Sequence, residues 1–208
     1  MSDDASKAQL SGRVSRETFE RLERYADLLT RWQKTINLVA PSTLNAIWTR
    51  HMLDSAQLMD HVPVTAKSWL DLGSGGGFPG LVCAVMAAET HPDLSITLVE
   101  ADLRKAAFLR EVARQMGISV GIMSRRIEDL PPQKADIVSA RALAPLVSLC
   151  RYTAPHLAEH GICLFQKGVR YQDELETAQS DWHMTCQIHT SITDPDAVLL
   201  KIEGLRHA

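Results

Sequence analysis

The 208 residues are 45% hydrophobic with a formal net charge of −3, which suits one buried core with a modest extension and excludes a disordered or repeat-built chain. No apolar run approaches the roughly 20 residues of a membrane span, and the start MSDDASKAQL lacks a secretory leader's basic head and apolar middle, so a cytoplasmic protein is expected. The acidic balance argues against a nonspecific nucleic-acid coat, and four cysteines without a C-x-x-C pair and eight scattered histidines give no metal-ligand spacing; no metal is expected.

From Ser15, with Glu17 in the first turn, Phe19, Leu22, Ala26 and Leu29 recur at helical spacing and predict an amphipathic helix to about Ile36. A second helix is predicted from Thr43 to about Asp60, between the start signal Pro41-Ser42 and the stop at Pro63. These make residues 1–62 a helical extension packed on a main domain of residues 63–208. After Ser68, short apolar runs alternate with helical patterns, as in β-α-β units around a parallel sheet. Strands are predicted over 68–72, 95–100, 120–123, 135–140, 161–166, 184–189 and 197–202, and helices over 79–89, 103–116, 145–158 and 171–180.

The stretch LDLGSGGGFPG, Leu70 to Gly80, joins the first strand to the next helix. Its glycines permit positive φ and let a ligand lie against bare backbone beside the N–H groups of a helix start. That describes a nucleotide-type site at a strand's carboxyl end; an ordinary tight turn is the bland alternative. Gly75, Gly77 and Gly80 satisfy G-x-G-x-x-G, so a dinucleotide must be weighed against S-adenosylmethionine. Asp71 is the discriminating residue: beside this loop a carboxylate repels a pyrophosphate but answers the ammonium and sulfonium of S-adenosylmethionine. Glu100 ends the second strand, where such folds hold a ribose with an acidic side chain; it serves either cofactor, or caps the helix starting near Asp102.

NLVAPSTLNAIWTRHMLDSAQL, WLDLGSGGGFPGLVCAV, VEADLRKAAFLREV, SRRIEDLP, SARALAPL and FQKG together resemble the bacterial small-subunit ribosomal RNA guanine-N7 methyltransferases, also called glucose-inhibited division protein B, from about Asn37 to Gly168. The resemblance implies a class I S-adenosylmethionine-dependent methyltransferase fold. This is α/β and Rossmann-like, with a mostly parallel seven-stranded sheet, a final antiparallel strand and helices ahead of it. The implied cofactor positions are Gly73, Phe78, Ile127, Glu128 and Arg141, with Glu100 and Ala101 where the family shows an acid followed by a small polar residue; Ala101 departs from that pattern. Arg141, at the end of the fourth strand, is the candidate catalytic residue, able to orient cofactor or nucleotide; a salt bridge to Asp71 or Glu128 is its bland alternative. Asn37, Arg50, His51 and Asp54 match the family's N-terminal motif and are candidate substrate residues, although Arg50 and Asp54 could pair at i, i+4 and His51 could pack between domains. Lys167, in FQKG, is a candidate phosphate contact.

The chemistry follows partly by omission. Guanine N7 has a lone pair and no proton to lose, so alignment suffices. No (D/N)-P-P-(Y/F) follows the fourth strand, as an exocyclic-amine methylase would resemble its class in having, and no cysteine follows a proline, as C5-pyrimidine methylation commonly needs. Residues 101–126 carry six Lys/Arg against two acids and residues 141–170 four against one. Arg104, Lys105, Arg110, Arg114, Arg125, Arg126, Lys167 and Arg170 could thus form an RNA-facing surface, or be solvated helix faces. The family implies 16S ribosomal RNA within a small subunit or its precursor as partner, with S-adenosylhomocysteine as product; a monomer is expected. Methylation of a small molecule or protein, and an NAD-dependent oxidoreductase, are the competing readings.

Overall fold

The computed structural model describes every residue from Met1 to Ala208. Seven strands form one sheet: β1 Ser68–Leu72, β2 Ser95–Val99, β3 Gly121–Met123, β4 Ala135–Arg141, β5 Leu157–Lys167, β6 Trp182–Thr190 and β7 Val198–His207, in spatial order β3-β2-β1-β4-β5-β7-β6. All pairs are parallel except β5 with β7 and β6 with β7. The order reverses direction between β1 and β4, which is where an open α/β sheet leaves a crevice beyond its strand ends.

The helices are α1 Asp3–Ser11, α2 Arg16–Trp32, α3 Asp54–Ala56, α4 Gly80–Thr90, α5 Leu103–Met116, α6 Leu146–Thr153 and α7 Tyr171–Asp181. Helix α5 matches its sequence range at both ends, because Asp102 caps the N–H groups of Arg104 and Lys105 and Gly117 adopts φ +64° at the other end. Helix α6 stops early at Thr153, and β5 starts at Leu157 instead of residue 161. Helix α1 was not foreseen: Ser2 caps it, but only Ser6 and Leu10 are buried along it, too few for a visible period.

The predicted second helix is a chain of unlike turns. A 3-10 stretch, Pro41–Ala46, leads to a π-helical turn, Trp48–Leu53, then α3 and a second 3-10 stretch, Gln57–His61. The wide π turn buries Thr49, His51, Met52 and Leu53 together. Four burials in five positions are more than one face of a regular helix can hold.

One face of the sheet packs α4 and α5 together with α1, α2 and the 41–61 segment in a single apolar core that joins Leu10, Leu22 and Leu29 to Leu81, Val85 and Phe108. The opposite face is covered around Leu149, Phe165, Ala178 and Leu200. Each fully buried side chain of this size stabilises the fold by roughly 1.5–3 kcal/mol. The N-terminal helices therefore share the sheet's core, and no helix is long and apolar enough to cross a membrane.

Candidate active site

A cleft of about 1180 Å³ opens beyond the carboxyl ends of β1, β2, β4 and β5. That exceeds the upper end of the roughly 300–1,000 Å³ of a small-molecule site, leaving space for a second reactant. Its floor is the glycine loop. Gly73, Gly75 and Gly77 sit at φ +67°, +57° and +96°, which side chains rarely tolerate. A Cβ on Gly73 would lie 2.6 Å from Leu143 Cδ1. Ser74 N–H donates to the Val99 carbonyl at 3.0 Å, and the Tyr25 hydroxyl donates to the Gly76 carbonyl. Helix α2 thereby reaches the loop.

Asp71 is not where sequence reasoning put it. Its side chain is completely buried and takes no part in the cleft wall. In register with Ser139 across β1 and β4, it accepts from the Ser139 hydroxyl at 2.6 Å, which in turn accepts from Trp69 Nε1 at 2.8 Å. Burial pushes the carboxyl up to about 6, against the lowering effect of the Ser139 hydrogen bond. A Cβ on Gly80 would touch Asp71 Cβ at 2.5 Å. The carboxyl supports the underside of the loop and the start of α4.

Gly73, Gly75, Phe78, Glu100, Ala101, Ile127, Glu128 and Arg141 all line the cleft, whereas Gly77 does not. Gly77 acts in the loop's own geometry, since a Cβ there would collide with the Tyr25 hydroxyl. Glu100 accepts from Gly75 N–H at 2.8 Å through one oxygen and from Asp102 N–H at 2.8 Å through the other. Each carboxylate oxygen keeps a second lone pair for a ribose hydroxyl. Bare glycine backbone, this acid and the apolar side chain of Ile127 fit an adenosine-bearing cofactor such as S-adenosylmethionine.

Arg141 is held from three sides in the cleft. It donates to the Arg50 carbonyl at 2.7 Å, to Asp54 Oδ2 at 3.3 Å and to His51 Nδ1 at 2.8 Å, and lies 5.1 Å over the Phe78 ring. Neither Asp71 nor Glu128 pairs with it. An arginine only donates, so Nδ1 of His51 accepts and the proton sits on Nε2. That N–H donates to Thr43 Oγ1 at 2.7 Å, and Thr43 donates to the Ala40 carbonyl at 2.7 Å. Burial first, then the charge of Arg141, lowers His51 to about 3, so the ring is neutral. His51 also stacks on Phe78 at 4.8 Å, and Phe78 on Tyr25 at 5.5 Å.

The proposed substrate residues divide. Asp54 is a hub that accepts from Gln57 Nε2 at 2.8 Å, Gln166 Nε2 at 2.6 Å and Thr193 Oγ1 at 3.0 Å as well as from Arg141. Arg50 pairs with Asp194 at 2.7 Å, not with Asp54. Lys167 lines the cleft but is tied to Glu174 at 2.5 Å and has a side chain only 9% exposed, a poor phosphate contact in this state. Asn37 lies outside the cleft wall, taking a hydrogen bond from Gln33 at 3.2 Å. Of the basic residues, Lys105, Arg125 and Arg126 join Lys167 on the wall, while Arg104, Arg110, Arg114 and Arg170 do not. Sequence reasoning missed Tyr25, Thr43, Gln57 and Gln166. The first reads as one more apolar position of α2, and uncharged polar residues carry no sequence signal of what they touch.

A family model described as GidB, rRNA small subunit methyltransferase G, matches residues 18–198. The ribosomal RNA small subunit methyltransferase G of Jannaschia sp. (strain CCS1) is 55% identical over 98% of this chain and 97% of its own length. Its namesake from Paramagnetospirillum magneticum (strain ATCC 700264 / AMB-1) is 53% identical over 91% and 90%. Among solved structures, a SAM dependent methyltransferase from Aquifex aeolicus superposes with a TM-score of 0.58 at 10% identity, covering 85% of this chain and 97% of that one. TYW2 of M. jannaschii in complex with AdoMet gives 0.54 at 11% identity over 76% and 77%. These two show the fold, a class I Rossmann-like methyltransferase; the family match and the near end-to-end identities show that the chain belongs to the GidB family, rRNA small subunit methyltransferase G.

Proposed function

We propose that the protein transfers the methyl group of S-adenosylmethionine to N7 of a guanine in 16S ribosomal RNA, releasing S-adenosylhomocysteine. The observation that carries the reading is one cleft in which the glycine loop and Glu100 face a half-buried Arg141 held by Arg50, His51 and Asp54. When bound, the sulfonium supplies an electrophilic methyl group. Glu100 would hold the cofactor's ribose hydroxyls, Gly73 and Gly75 would offer it backbone without side chains, and Ile127 and Glu128 would hold its adenine. Arg141 uses three of its five N–H donors on Arg50, Asp54 and His51, which leaves two for an acceptor on the incoming nucleotide.

N7 needs no base to deprotonate it, and the cleft's obvious base is committed elsewhere. Both ring nitrogens of His51 are hydrogen-bonded. Catalysis is then alignment of nucleophile and methyl carbon, worth up to about 7–11 kcal/mol in well-oriented systems. Lys105, Arg125 and Arg126 form the RNA-facing rim, and a small ribosomal subunit or its precursor is the form recognised. The enzyme works as a monomer in the cytoplasm, with residues 1–62 as the extension of a methyltransferase domain over 63–208.

The test is the N7-methylguanosine content of 16S RNA in cells lacking the gene. Wild-type protein restores the missing mark, and Arg141→Ala leaves at most about a hundredth of the rate, as expected for one preorganised donor. Methylation at another atom, or full activity of Arg141→Ala, would overturn the reading.

A further inference from the structure

Gln166 is the penultimate residue of β5, in register with Arg141 on β4 and Leu199 on β7. It lines the cleft and is 8% exposed. Its Nε2 spends both hydrogens on Asp54, donating to the carbonyl at 2.9 Å and to Oδ2 at 2.6 Å. The amide is therefore fixed, because turning it over would set Oε1 against two acceptors. Oε1 is left buried without a hydrogen-bond partner, at a cost of roughly 1–3 kcal/mol.

The neighbouring donors make their hydrogen bonds elsewhere. The hydroxyls of Ser191 and Thr193 turn to Asp54, and Lys167 donates to Glu174 and the Ala144 carbonyl. Arg141 faces the 50–54 segment. A ligand that enters the cleft can bring the missing donor. In the order β2-β1-β4-β5, β5 lies on the far side of β4 from Glu100 and the glycine loop, so the ligand that reaches Gln166 is the nucleotide and not the cofactor.

We propose that Oε1 of Gln166 accepts an N–H from the Watson–Crick edge of the guanine entering the cleft and so sets base specificity; this rests on the guanine-N7 reading above. Guanine offers N1–H and an amino group at C2 on that edge, which turning the base out of its stack sets free. Adenine brings the lone pair of N1 to the same place. Two facing acceptors, with a buried oxygen still unpaired, discriminate strongly in a site built to receive an N–H.

Reconstituted small subunits carrying guanosine, inosine, 2-aminopurine riboside or 2′-deoxyguanosine at the modified position provide the test. Inosine lacks the amino group and 2-aminopurine lacks N1–H. Wild type should lose about 5- to 150-fold in kcat/KM on one of these two, as a buried acceptor left without its donor demands. Gln166→Leu should lose a similar factor on guanosine and nothing further on that analogue, with S-adenosylmethionine affinity within about twofold of wild type. Equal further losses in both enzymes, a loss confined to the 2′-deoxy substrate, or collapse of cofactor affinity in Gln166→Leu would each overturn the assignment. Failure of wild type on the guanosine subunit would instead sink the parent function.

Discussion

Arg141 and His51 stand 90 positions apart in the chain yet share one hydrogen bond, and burial together with the charge of Arg141 keeps the histidine neutral. Folded, His51 sits near 3 against an ordinary 6.5, so its contribution to stability is present above pH 6.5 and is lost as pH falls towards 3. Asp71 runs the other way: held near 6 against 3.8, it contributes stability below 3.8 that is lost as pH rises through 6. Each slope is up to about 1.4 kcal/mol per pH unit, and between pH 6 and 4 the two oppose. Urea unfolding across pH 7.5–4.5 should therefore show Asp71→Asn losing stability on acidification faster than wild type, and His51→Gln losing it more slowly. An Asp71→Asn slope equal to wild type would contradict the raised carboxyl. The sequence named Arg141, His51 and Asp54 as site residues, but not their bonds. Spacing suggested a local Arg50–Asp54 pair, whereas Asp54 meets Arg141 and Arg50 meets Asp194, both across the fold.

At the level of elements, the β-α-β half was legible because short apolar strands, the Gly-rich turn and the caps of α5 all act locally. The 41–61 segment was not, since its π turn is held by partners outside it: Thr49 N–H donates to Asp3 at 2.7 Å and its hydroxyl shares a hydrogen bond with Ser6 at 2.7 Å. The glycine loop offers a sharper test. Gly73→Ala combines φ +67°, which costs an L residue about 1–2 kcal/mol, with a clash against Leu143. Calorimetric titration should show S-adenosylmethionine affinity falling about tenfold or more in Gly73→Ala and partly recovering in Gly73→Ala/Leu143→Ala. No recovery would mean that the left-handed backbone, and not the packing of Leu143, governs the loss.

For the whole molecule, a net charge of −3 conceals a basic rim, and composition could not say which cations face the cleft. Arg114 is taken by Glu111 and Arg110 by Ser124, whereas Lys105, Arg125 and Arg126 border the opening. If these three touch phosphates, replacing all of them with Gln should flatten the plot of log affinity for 16S RNA against log salt by about two units between 50 and 200 mM. An unchanged slope would move the RNA elsewhere. The seven strands, the family and an N-terminal extension packed on the main domain were readable from the sequence; the particular contacts that join the N-terminal helices to the sheet were not, because they link distant segments. That joining has a consequence for synthesis. Tyr25 leaves the ribosome ahead of Gly76, whose carbonyl its hydroxyl holds, and of Phe108, against which its ring packs. A chain that emerges amino end first completes this wall only after α5 is made, so a nascent fragment ending before it has no finished cofactor cradle.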